Sequence, residues 1–243
     1  MAALDLDRFD VLTFDCYGTL IDWESGILDA LRAPLGAHGI TESDDDVLAA
    51  FARHEAEIEA GPYRRYRDVL GEVLAAMVGH FGAEASAEER TTFGGSVADW
   101  PAFPDSADAL AALARHYELI ILSNVHRAGF AASNQRLRGD FATIITAEDV
   151  GAYKPAENHF RALDATLAEL GVDRGALLHV AQSLFHDHVP ARREGLPSVW
   201  INRRHDRPGW GATPAPAEEW TFAMELPSMA ALADAVDRAF GDR

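Results

Sequence analysis

The sequence predicts an α/β chain: a Rossmann-like, doubly wound, mostly parallel sheet, interrupted once by an inserted helical domain. Short apolar runs of strand length alternate with stretches of helical periodicity, the pattern of a sheet covered by helices on both faces. Four of those runs give way to polar residues at their carboxyl ends, where open α/β sheets bind their ligands. Residues 21–99 interrupt the alternation with helical pattern alone.

The elements follow in order. Residues 9–14 (FDVLTF) read as a buried first strand that runs into Asp15-Cys16-Tyr17-Gly18-Thr19. Further strands are expected at 119–122 (LIIL), ending at Ser123-Asn124, at 141–145 (FATII), and at 177–180 (LLHV), ending at Ala181-Gln182-Ser183. Residues 198–201 make another, and 220–224 a weaker one. Helical periodicity predicts helices near 105–116, 126–137, 156–170, 185–194 and 227–239. Within 21–99 the helices fall near 23–37, 44–60, 63–82 and 86–93. The expected division is therefore a core of residues 1–20 and 100–243 with a helical domain at 21–99. Two prolines in Asp99–Asp105 (DWPAFPD) punctuate the junction. Residues 203–219, rich in Pro, Gly and Trp, suggest an ordered loop, with Trp200, Trp210 and Trp220 expected in core or lid packing.

Composition narrows the function. The 243 residues include 39 acidic and 21 basic ones, a formal net charge of −18. No basic block exists to neutralise a phosphate backbone, which argues against a nucleic-acid partner. No apolar run reaches the roughly 18–20 residues of a membrane span. A single cysteine, Cys16, excludes an internal disulfide and any multi-cysteine metal site. With no secretory leader visible at the start of the chain, a reducing cytoplasm is the expected setting. Among the basic residues 20 are arginine and one, Lys154, is lysine.

Asp15 ends the first strand, where Gly18 lets the chain turn sharply; on position alone it reads equally well as a capping aspartate. Ser123-Asn124 brings a hydroxyl and an amide to the same sheet edge, though the pair is also an ordinary turn. Lys154 precedes Pro155, which is expected to open a helix at its first position. A lysine there is usually a solvated charge. In a chain that otherwise uses arginine that explanation weakens, because a guanidinium cannot replace a compact ammonium beside a carboxylate. Ser183 and Asp187 bracket the start of the next helix; Asp187 has the plain alternative of complementing the helix dipole. His186 and His188 flank it at a spacing that does not face both rings one way.

Taken together, the order D-x-Y-G-T, S-N, Y-K-P and A-Q-S-x-x-x-D resembles the haloacid dehalogenase (HAD) superfamily, most specifically in FDCYGTLID. The insertion is similar to that superfamily's type 1 cap. The resemblance implies Asp15 as nucleophile. Phosphatases of the superfamily carry an acid two residues later, where this chain has Tyr17. They also carry a magnesium-holding carboxylate where this chain has Gln182. Magnesium wants carboxylate oxygens in octahedral array, and phosphoryl transfer needs the metal. The D-x-Y-G-T form resembles instead the metal-independent type II 2-haloacid dehalogenases.

That resemblance implies hydrolysis of short 2-haloalkanoic acids to 2-hydroxy acids through an Asp15 ester, with no cofactor and no metal. Halide is a stable leaving anion, so such displacement needs a nucleophile but no general acid. Lys154 would orient Asp15 and favour its ionised form. Asp187 would orient Lys154 or the hydrolytic water. Thr19, Ser123 and Asn124 would donate hydrogen bonds to Asp15 or the substrate carboxylate, and Tyr17 would wall the pocket. Gln182 and Ser183 are expected to line it. The family's arginine for halide or carboxylate is missing from residues 36–43, and Arg64 in the Gly61–Arg67 segment is the candidate replacement; a solvated helix start is its equally good alternative reading. The expected partner is a small anionic substrate, with a homodimer left open. Two other functions stand beside this one: a magnesium phosphatase acting on a small phosphomonoester, and a catalytically silent binding protein.

Overall fold

The computed structural model describes residues 4–216 and 218–241. Six strands, β1 (Val11–Phe14), β2 (Glu118–Ser123), β3 (Thr143–Thr146), β4 (Leu177–Ala181), β5 (Ser198–Ile201) and β6 (Met224–Leu226), form one all-parallel sheet in the order β3-β2-β1-β4-β5-β6. The chain builds outward from β1 on one side, then returns to lay β4 on the other. The carboxyl end of β1 is therefore the switch point of the sheet, the crevice where such folds hold ligands.

Alternation along the strands divides the core in two. Leu12 and Phe14 of β1, Leu119 and Ile121 of β2, and Leu178 and Val180 of β4 join the larger cluster, with helices α5 (Ser106–Leu113) and α10 (Met229–Gly241). Val11, Ile120, Leu122 and Leu177 face the other way, onto Phe160, Leu163 and Leu167 of α8 (Asn158–Leu170). With both faces covered, the central strands read as continuous apolar runs.

Between β1 and α5 the chain makes four α-helices and no strand: α1 (Trp23–Ala37), α2 (Asp44–Glu59), α3 (Tyr66–His80) and α4 (Ala87–Gly95). Their starts are encoded locally. Ser43 caps α2 by accepting from the Asp46 N–H, and Asp44, Asp45 and Asp46 complement the dipole in its first turn. Ser86 and Glu89 form a reciprocal capping box on α4. The remaining helices are α6 (Arg127–Leu137), α7 (Ala147–Val150) and α9 (Val189–Arg193).

Four local expectations need correction. The weak strand expected at 220–224 lies at Met224–Leu226, because Phe222 packs its ring 5.2 Å from that of Trp200 instead of entering the ladder. The helix expected at 185–194 is a π-helical turn, Leu184–His188, followed by the short α9. Pro155 does not open α8: the Lys154–Pro155 bond is cis, and the helix starts at Asn158. Trp210 and Trp220 are exposed and meet edge to face, 6.3 Å apart, outside the core. Among the described residues, no helix is long and apolar enough to cross a membrane.

Candidate active site

Asp15 leaves β1 at the switch point, its backbone N–H still donating to the Val180 carbonyl of β4 (3.1 Å). The chain then turns through Gly18 at φ +92°, a conformation that side chains resist; a Cβ there would also stand 2.9 Å from Gln182 Oε1. The turn brings Thr19 back onto the carboxylate, where its hydroxyl donates to Asp15 Oδ2 (2.7 Å) and accepts from the Gln182 N–H (2.9 Å).

Lys154 completes the centre. Its side chain is 1% exposed, and Nζ donates to Asp15 Oδ1 (3.0 Å), Asp187 Oδ1 (2.7 Å) and the Leu122 carbonyl (2.8 Å). An ammonium has three N–H donors, and all three are used. Asn124 fixes the lysine from behind: its Oδ1 accepts from the Lys154 N–H (2.7 Å) and its Nδ2 donates to the Lys154 carbonyl (3.1 Å). Burial pulls the ammonium pKa down, but the Asp15 and Asp187 carboxylates outweigh it and hold it above its ordinary value. For Asp15 the balance differs: burial and the Asp187 charge raise its carboxyl, against the pull of Lys154 and Thr19.

Asp187 is wholly buried on the π-helical turn, a local winding that recurs at functional sites. Burial opposes its charge, but Lys154 and His179 win and keep the carboxyl below the usual range. His179, on β4, donates from Nε2 to Asp187 Oδ1 (3.1 Å), which leaves Nδ1 to accept from the Thr13 hydroxyl (2.8 Å) on β1. Among the described residues Asp187 Oδ2 has no hydrogen-bond partner.

Around Asp15 and Lys154 lies a cavity of about 20 Å³, room for a water molecule. Tyr17, Asn124 and Ser183 line its sheet side; Ser183 Oγ accepts from the His186 N–H (2.9 Å). Tyr17 is anchored by Ser133 Oγ (2.9 Å) and by Trp100, edge to face at 5.7 Å. The inserted helices close the other side with Glu55 and Glu59 of α2, Tyr66 of α3 and Trp23 of α1.

Three expected site residues are placed elsewhere. Arg64 is half exposed on the approach to α3 and pairs with Glu72, so the cavity has no arginine there; the solvated helix start is what the chain builds. Ser123 is buried at the end of β2 with its hydroxyl unpartnered, off the cavity. Gln182 turns its side chain into a neighbouring groove, with Oε1 3.4 Å from the Thr213 hydroxyl. Sequence reasoning in turn missed Glu55, Glu59 and His179. The first two had a signal: the buried stripe of α2, Val47, Leu48, Phe51 and Ala52, continues at helical spacing into Glu55 and Glu59. His179 inside an apolar strand had one too.

The donor set does not fit magnesium. Both Asp15 oxygens are engaged, Asp187 is held by Lys154 and His179, and the Gln182 amide faces away. The histidines do not converge either: His188 binds Ser198 Oγ and the Ala181 carbonyl. Among the described residues, no three His, Cys, Asp or Glu side chains are grouped to hold a metal ion.

A buried carboxylate at the switch point of a 3-2-1-4-5-6 sheet, gripped by one lysine and overlaid by inserted helices, defines a hydrolase class, and comparison with known proteins gives it a family. The family model for haloacid dehalogenase-like hydrolases matches residues 9–181, and the chain belongs to that family. No curated protein sequence matches it. Among solved structures, the L-2-haloacid dehalogenase of Xanthobacter autotrophicus superposes with a TM-score of 0.75 at 21% identity, over 94% of this chain and 98% of that one. That enzyme has also been solved with chloropropionic acid covalently bound. A defluorinating L-2-haloacid dehalogenase gives 0.72 at 21% identity, over 93% and 94%. The magnesium-bound HAD-hydrolase YfnB of Bacillus subtilis gives 0.75 at 18%, over 95% and 99%. Likeness at this identity establishes the shared fold.

Proposed function

We propose that this hydrolase cleaves the carbon–halogen bond of short 2-haloalkanoic acids through a covalent Asp15 ester, without metal. The observation that carries the reading is the Lys154 ammonium with all three donors spent on Asp15, Asp187 and the Leu122 carbonyl. Asp15 attacks C2 and halide leaves with the bonding pair. Water then adds to the Asp15 carboxyl carbon, the ester C–O bond breaks, and the 2-hydroxy acid departs. Lys154 keeps the attacking carboxylate ionised and aimed, with Thr19 fixing its second oxygen. Asp187 and His179 hold Lys154 in place. Tyr17, where a phosphatase has its acid, walls the pocket, which suits a leaving group that needs no proton. The covalently trapped haloacid of the Xanthobacter autotrophicus enzyme supports an ester route on this fold.

A 20 Å³ cavity is too small for a haloacid, so residues 21–99 act as a cap that parts from the sheet edge to admit substrate. The lone cysteine, buried and with its thiol pKa pushed up by burial, suits a reducing cytoplasm.

Halide release from 2-chloropropionate in EDTA, with multiple turnovers in ¹⁸O-water, tests the reading. The expected result is release in EDTA, ¹⁸O incorporated into Asp15 on peptide mass analysis, and no release by Asp15→Asn. Release only with added magnesium, or no label in Asp15, overturns it. Magnesium-dependent turnover of an aryl phosphate without halide release would establish the phosphatase instead.

A further inference from the structure

The acids that α2 turns toward the nucleophile have no part in that scheme. Glu55 and Glu59 are four residues apart, so their side chains share one face of the helix. Glu55 is 3% exposed and accepts from the Tyr66 hydroxyl through Oε1 (2.6 Å). Glu59 stands between the cavity and an outer groove of about 410 Å³, with Oε1 buried and, among the described residues, without a hydrogen-bond partner. Among the described residues neither has an ion-pair partner.

A substrate carboxylate entering this cavity needs hydrogen-bond donors. Among the described lining residues the charged donor is fully committed, Lys154 to its three acceptors, and Tyr66 gives its hydroxyl proton to Glu55 and Asn124 one amide hydrogen to the Lys154 carbonyl. Among the described residues no arginine lines the cavity. Two carboxyls side by side in a desolvated space, without a countercharge of their own, cannot both ionise cheaply. A protonated carboxyl is a hydrogen-bond donor.

We propose that Glu55 and Glu59 are the substrate-carboxylate site of this enzyme, binding as neutral acids that donate hydrogen bonds. The proposal rests on the haloacid reading above and adds its specificity determinant. Burial points the same way, pushing Glu55 up to about 8 and Glu59 well above its ordinary value. Tyr66, Tyr153, Tyr17 and Tyr63, the phenols facing the pair and its groove, are raised by burial, and His186 is lowered to about 4. Lys154 is raised as well, which leaves Glu55, at about 8, as the member of the pair placed to lose its proton as the solution turns alkaline. Asp15 acts in common in every variant considered.

The consequence is an alkaline loss of binding, separable from chemistry. For 2-chloropropionate the KM of the wild-type enzyme rises at least tenfold from pH 7 to 9.5, while kcat changes much less. In the double variant Glu55→Gln/Glu59→Gln, whose amides donate at every pH, that rise disappears. In Glu55→Ala/Glu59→Ala, KM is raised at least tenfold already at pH 7. Circular dichroism and Tm confirm that the variants are folded. A wild-type KM that stays flat to pH 9.5, or a glutamine variant whose KM at pH 7 is at least tenfold above wild type, overturns the proposal; the second result marks ionised carboxylates that await a cationic group. Absence of halide release by the wild type at every pH would instead remove the underlying haloacid reading.

Discussion

Lys154 Nζ lies 2.7 Å from Asp187 Oδ1, closer than its 3.0 Å to the proposed nucleophile Asp15, so the lysine is seated by one carboxylate and presented to the other. A guanidinium is planar and larger, with its charge spread over three nitrogens. Lys154→Arg is therefore expected to displace Asp15 and lower kcat by about 100-fold or more. Lys154→Ala takes the ammonium from between two buried carboxylates and is expected to cost about 3–5 kcal/mol in urea denaturation. Near-normal turnover by the arginine variant would make the lone lysine incidental.

His179 reaches the centre only through Asp187. His179→Ala is expected to lower kcat about tenfold, equivalent to 1.4 kcal/mol, with KM little changed. Because Asp187 loses a partner that favours its charge, the acidic limb of the kcat profile should move to higher pH. An unchanged profile alongside reduced stability would assign the histidine to packing alone.

Stability should also depend on pH through Glu55. Its folded-state pKa, about 8, lies above the ordinary 4.5, so the folded protein holds this proton more tightly than the unfolded chain does. The contribution is complete below about pH 4.5 and is lost as pH climbs through 8. Asp187 works in the opposite sense: its pKa is lowered, so its contribution is present above 3.8 and lost as pH falls. The urea midpoint should therefore decline from pH 6 to pH 9, and the decline should be smaller in Glu55→Gln.

Gly18 offers a check on the turn that positions Thr19. Alanine there meets both a positive φ and an atom 2.9 Å away. The expected cost is about 1–3 kcal/mol, a Tm lower by roughly 3–10 °C, with kcat reduced because Thr19 loses its aim. An unchanged Tm would contradict the strain.

The fold was legible because each central strand is buried on both faces and advertises itself as an apolar run ending in polar residues. Asp15, Lys154 and Asp187 could be paired from their places at strand ends and from a family resemblance, and the geometry brings those three together. Arg64 could not be judged from sequence, since its partner Glu72 lies eight residues away and only the course of α3 decides whether the two meet. Ser123 sits at the right sheet edge, but strand alternation carries no information about where its hydroxyl finds a partner. Glu55 and Glu59 were hidden for the opposite reason: acids in an acid-rich helix look solvated until the apolar stripe they prolong is followed to its end.

One ammonium joins the ends of three adjacent strands, through Leu122 after 32 residues of chain, Asp187 after 33 and Asp15 after 139. Contacts of such span close late in folding, because each must first repay the entropy of the loop it seals. The reactive charge cluster thus cannot exist on a half-built sheet. A chain still folding offers no prematurely armed carboxylate, and refolding followed by regain of turnover should report completion of the sheet centre itself.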